Sequence, residues 1–94
     1  MTATLLTLYS RSYCHLCQEM QDAVQELKIE YPFTLDVVDV DADPALVARY
    51  DELVPVLVGH KEGTPPVQLC HYFLDESKVR DFLAPDWTAA SDSP

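Results

Sequence analysis

Leu5-Leu6-Thr7-Leu8-Tyr9-Ser10-Arg11-Ser12-Tyr13-Cys14-His15-Leu16-Cys17 decides how this chain folds. Leu5 to Tyr9 reads as a short buried strand. The pattern that follows is helical, with Leu16, Cys17, Met20, Val24 and Leu27 on one stripe and Gln18, Glu19, Asp22, Gln25 and Glu26 mostly outside it. A Cys-x-x-Cys pair therefore stands where an apolar strand hands over to an amphipathic helix. Two thiols so spaced at a helix start can sit one turn apart, close enough to close a small disulfide. The first lies among the unpaired N–H groups of the helix end, where a thiolate is stabilised.

Working outward, Pro32 ends the helical region and Leu35 to Val40 reads as a second strand, bounded by the acidic turn Asp41-Ala42-Asp43. Asp43 followed by Pro44 is a cap and first-turn pair for a short helix with Leu46, Val47 and Tyr50 inward. Val56-Leu57-Val58 is a third strand. Gly59 to Pro66 has loop composition, and Val67 to Phe73 returns as a fourth strand. Asp75 caps a last helix with Leu74 and Val79 as a staple; Val79, Phe82 and Leu83 face inward, and Pro85 stops it. The expected domain runs from 1 to 85, and 86–94 reads as a frayed tail with Trp87 folded back.

The order is β-α-β-α-β-β-α. A helix joins the first two strands, which makes them parallel, whereas the loop after strand three is too short for a crossover and makes strands three and four antiparallel. The expected fold class is α/β, a four-stranded mixed sheet with helices on both faces.

Ninety-four residues make one domain, and 48% apolar residues are enough for a core. Three clustered cysteines are too few for a secreted disulfide framework. Met1 to Leu8 has no positive charge and too short an apolar run for a signal peptide, and no stretch reaches membrane-spanning length. The expected compartment is cytoplasmic, where such a pair cycles rather than stays closed. A formal charge of −10 argues against nucleic acid and anionic membrane as partners. A basic partner surface and plain solubility both account for it. The charge also opposes thiol ionisation, so the site needs a local positive source. A monomer is the default for this size.

At this point the sequence resembles glutaredoxins. Their active-site run, Tyr-Ser-Lys-Ser-x-Cys-Pro-Tyr-Cys, stands here as Tyr9-Ser10-Arg11-Ser12-Tyr13-Cys14-His15-Leu16-Cys17, and their Thr-Val-Pro as Leu53-Val54-Pro55. The likeness covers the element order from about Leu5 to Leu83. It implies a thioredoxin-like, three-layer α/β/α fold, a cis bond before Pro55, and glutathione as co-substrate with no tightly bound cofactor. Two departures stand out. His15-Leu16 replaces Pro-Tyr, and the Gly-Gly that helps hold glutathione's γ-glutamyl end is missing; that region reads Leu69-Cys70-His71-Tyr72-Phe73-Leu74-Asp75-Glu76. The chain reads as a divergent branch in which Asp75 and Glu76 supply part of that contact.

Cys14 is the candidate nucleophile, with Arg11 and His15 as sources of positive charge that lower its pKa below the free value of ~8.5. Cys17 is the candidate resolving thiol, and equally a residue that packs in the core. His15, if protonated, makes the disulfide more oxidising; if neutral, it only fills the slot left by proline. Val54 and Pro55 are expected to present the Val54 N–H and C=O to an extended thiol substrate. Arg11 and Tyr13 are expected to line the same groove, Arg11 holding a substrate carboxylate. Cys70 and His71 alternate on strand four, so one faces the core, and Cys70 is the better fit. A metal site using Cys14, Cys17, Cys70 and a histidine has the ligand types but no supporting spacing.

The leading reading is a thiol–disulfide oxidoreductase acting on glutathione mixed disulfides or protein disulfides. A non-catalytic docking module and a metal or iron–sulfur carrier are the alternatives. The retained second cysteine favours chemistry, because a docking module has no use for a resolving thiol.

Overall fold

The computed structural model describes residues 4–12, 14–50 and 52–84. Tyr13 of the expected site, Pro85 and the 86–94 tail with Trp87 lie outside the described residues. Strand β1 (Thr4–Ser10) leads into helix α1 (His15–Leu27), and β2 (Thr34–Asp39) is followed by a 3-10 turn at Val40–Ala42 and helix α2 (Pro44–Tyr50). Strands β3 (Val56–Lys61) and β4 (Val67–His71) precede helix α3 (Glu76–Leu83). The sheet order is β2-β1-β3-β4; β1 and β2 run parallel, and the other two pairings are antiparallel. This is the α/β mixed sheet expected from the element order.

Alternation along β1 explains the layers. Leu6 and Leu8 are fully buried and join Met20, Val24 and Leu27 of α1 with Val79, Phe82 and Leu83 of α3 on one side of the sheet. Tyr9 turns to the other side, where Val40, Tyr50 and Val56 form a second, smaller cluster under α2. Two helices on one face and one on the other make the three layers. The caps are those foreseen: the Asp43 carboxylate accepts the Ala45 N–H at 2.9 Å, and Asp75 accepts the Lys78 N–H at 3.1 Å. Each cap satisfies a donor that the helix start leaves open.

Two elements depart from the sequence reading. Strand β3 does not stop at Val58 but runs on through Gly59-His60-Lys61, paired with Leu6, Leu5 and Thr4 of β1. Gly59 reads as a turn residue, yet its role is steric, since a Cβ there would come within 2.5–2.9 Å of the Phe82 ring. The chain reverses beyond it, with the Thr64 N–H donated to the Lys61 carbonyl at 3.0 Å and Gly63 at φ 85°. Strand β4 ends at His71 rather than Phe73 and carries a bulge: Leu57 pairs with Cys70 and Val58 with Gln68, which leaves Leu69 as the extra residue. Strict alternation fails there. Leu69 is buried in the α1–α3 cluster and Cys70, half-buried, packs against that same cluster.

Candidate redox site

Cys14 sits at the N-cap of α1 with extended backbone (φ −114°, ψ 106°), and its carbonyl accepts the Gln18 N–H at 3.2 Å. Its Sγ takes the place a Ser or Asp oxygen fills at most helix starts, accepting the Cys17 N–H at 3.1 Å. The two cysteines are joined in a disulfide, with Cα atoms 5.2 Å apart. Cys17 is 4% exposed on the apolar stripe of α1, while Cys14 is half-buried and is the more accessible sulfur. No acidic side chain lies in the first turn of α1, so the positive end of that helix is not offset locally. One face of the pair therefore meets solvent, and the other is anchored in the core.

The remaining expected residues are placed unequally. His15 is the first residue of α1 and is exposed. Arg11 forms a two-pronged pair with Asp41, Nη2 to Oδ1 at 2.8 Å and Nε to Oδ2 at 3.3 Å. Its fork is thus turned on the turn after β2, and its charge is shared with a carboxylate instead of being given whole to the thiol. A substrate carboxylate at Arg11 would share the guanidinium with Asp41 or displace it. Asp41 itself belongs to the turn that Asp39 caps, accepting the Asp41 N–H at 3.0 Å.

The Val54–Pro55 bond is cis. The Val54 amide is placed differently from the expectation. The Val54 N–H is donated to the Tyr50 carbonyl at 3.2 Å, so it is not offered to an incoming strand. Pro55 is fully buried, and its carbonyl accepts the Tyr72 N–H at 2.9 Å. Pro55 therefore shapes the neighbourhood through its backbone and does not line a surface.

Tyr72 and Phe73 stand where the sequence departs from the glutaredoxin pattern, and sequence reasoning gave them no role. Tyr72 has φ 65°, and the Phe73 N–H is donated to the His71 carbonyl at 2.7 Å, a γ-turn on the left-handed side. A bulky residue rarely accepts that backbone, and it persists here because the Pro55 carbonyl holds the Tyr72 amide. The signal in the sequence is the missing Gly-Gly of the glutaredoxin pattern in this region. Cys70, just before the turn, has its thiol pKa raised by burial, with a hydrogen bond from the Asp75 backbone acting the other way. Among the described residues no three His, Cys, Asp or Glu side chains gather to hold a metal ion, and no helix is long and apolar enough to cross a membrane.

A family model described as a glutaredoxin-like domain (DUF836) matches residues 5–84. Among solved structures the chain is similar to protein Ne2328 from Nitrosomonas europaea, determined in solution by NMR. The identity is 34%, the coverage 87% of this chain and 93% of that one, and the TM-score 0.76. It is also similar to thioredoxin from Fasciola hepatica, at 23% identity, TM-score 0.65 and coverage of 86% and 78%. Mitochondrial thioredoxin 3 from Saccharomyces cerevisiae, in its oxidised form, gives 20%, 0.66, and coverage of 85% and 76%. These two speak for the thioredoxin fold alone. A comparison with curated protein sequences finds no match. With its match running from β1 to the first residue after α3, and a disulfide-linked pair capping α1, the chain belongs to the glutaredoxin-like domain family.

Proposed function

We propose that the protein is a thiol–disulfide oxidoreductase in which Cys14 is the nucleophile and Cys17 the resolving thiol. One observation carries this reading: Cys14 Sγ caps α1 and accepts the Cys17 N–H while bonded to Cys17. In the reduced protein the same N–H and helix end would face the Cys14 thiolate and favour it over the thiol.

The exchange proceeds in two steps. The Cys14 thiolate attacks one sulfur of a substrate disulfide, forming a mixed disulfide and expelling the other sulfur as thiolate. The Cys17 thiolate then attacks Cys14 Sγ, closing the intramolecular disulfide and releasing the second substrate thiolate. Two electrons pass from the dithiol to the substrate, which takes up two protons from water, and two molecules of an external thiol restore the dithiol. Glutathione is the external thiol we propose, in a reducing compartment such as the cytoplasm, where a pair of this kind cycles. Tyr13 remains proposed as a groove residue. His15, exposed beside the pair, is proposed to act by charge alone.

The test is turnover of a small glutathione mixed disulfide by purified protein, coupled to glutathione reductase. Wild type is expected to turn over, Cys14→Ser to lose activity entirely, and Cys17→Ser to accumulate a mixed disulfide visible by intact-mass measurement. A Cys14→Ser protein with wild-type turnover sinks the assignment. Closure of Cys14–Cys17 under mild oxidant without glutathione turnover would keep the exchange and replace the reductant.

A further inference from the structure

A second feature adjoins the redox pair. Leu16, Met20 and Ala23 on one side of α1 and Phe73 and Leu74 in the turn after β4 line an apolar groove of about 210 Å³, with Glu19 in its wall. Leu16 lies between the two cysteines in sequence, so the groove begins beside the disulfide. It is smaller than the ~300–1,000 Å³ of ordinary small-molecule pockets and suits one large apolar side chain. Phe73 is 70% exposed, and the Tyr72 γ-turn that presents it is held in an unfavourable backbone by Pro55, the residue of the cis bond. Large apolar rings fixed in water beside a reactive centre mark a contact surface.

The surrounding charge selects the occupant. Glu19 is in the wall, exposed Asp75 follows Leu74, and the chain carries a formal charge of −10. An apolar slot with an acidic rim, on an acidic protein, complements a segment that combines one apolar side chain with basic neighbours.

We propose that this groove seats an apolar side chain of an extended, basic polypeptide segment whose cysteine disulfide is the one Cys14 attacks. The inference rests on the oxidoreductase reading and narrows its substrate to polypeptides of that composition. Phe73 and Ala23 set specificity and take no part in bond exchange.

The experiment mixes the reduced protein with disulfide-bonded peptides and follows closure of Cys14–Cys17 in a single turnover, by acid quench and chromatography. One peptide carries Leu and Lys beside its cysteine, another carries Ser and Glu, and bis(2-hydroxyethyl) disulfide serves as a substrate too small to fill the groove. The Leu–Lys peptide is expected to react about tenfold faster than the Ser–Glu peptide, the scale of discrimination an apolar pocket provides. Ala23→Gln, which fills the groove with an uncharged polar side chain, and Phe73→Ser, which removes its outer wall, should each cut that preference about threefold or more. Part of it should also fade as salt is raised, since the rim charges are exposed. A peptide preference near unity overturns the groove assignment, as does one that both folded variants retain. Failure to exchange with any of the three disulfides would instead overturn the oxidoreductase reading beneath it.

Discussion

Cysteine is asked to do three different things in this protein, and burial separates them. Cys14 caps a helix at the surface, Cys17 is anchored in the core, and Cys70 is half-buried behind the β4 bulge. Burial disfavours the Cys70 thiolate, so its thiol pKa lies above that of a free thiol. In a Cys14→Ser/Cys17→Ser protein, the pH profile of Cys70 alkylation by iodoacetamide should therefore have its midpoint above that of an exposed thiol peptide. A midpoint at or below the peptide's would show that the helix end beside it outweighs burial. The Cys14–Cys17 pair at the helix start was legible in the residues, because Cys-x-x-Cys between a strand and an amphipathic helix places two thiols one turn apart. The environment of Arg11 was not. Its partner Asp41 lies thirty positions away, and only the parallel pairing of β1 with β2 brings the two loops together.

At the scale of elements, the sheet and helices follow from patterns of period two and 3.6 together with two aspartate caps, and these were readable throughout. The ends of β3 and β4 were not, and one residue accounts for much of it. Gly59 belongs to a stretch with the composition of a loop, yet it stays in the strand because α3 lays Phe82 across it. Packing between distant elements overrode the local signal. Gly59→Ala should destabilise the fold by about 1–3 kcal/mol, the usual cost of overpacking a filled core, measured by chemical denaturation. If Phe82 is trimmed to Leu in the same chain, the added methyl should cost less, and equal costs in the two backgrounds would remove Phe82 as the cause. The bulge at Leu69 escaped the sequence for a related reason: alternation describes a regular ladder and carries no mark of one extra residue.

For the molecule as a whole, Arg80 joins its first and last thirds. Its guanidinium reaches Glu30, after α1, at 2.8 Å and Glu76, within α3, at 2.9 Å. The hydrogen bond and charge of Arg80 hold the Glu30 carboxyl below its ordinary value of 4.5. A carboxyl depressed on folding stabilises the fold above its unfolded pKa, and that share is lost as the pH falls through the folded value. Wild type should therefore melt above Glu30→Gln near neutrality, and the gap should close as the pH is lowered from about 6 to about 3. A gap that stays constant over that range would mean Glu30 acts through packing, not charge. The pair is exposed, so the gap will be modest.

Both borders of the sheet are also closed to growth. β4 is five residues long, broken by its bulge, preceded by Pro65-Pro66 and followed by the turn at Tyr72; β2 sets exposed Asp36 and Asp39 along the opposite border. A strand from another chain would find an interrupted ladder on one side and carboxylates on the other. A segment of another chain, or a second copy of this one, thus meets no regular edge on which a spreading sheet could grow.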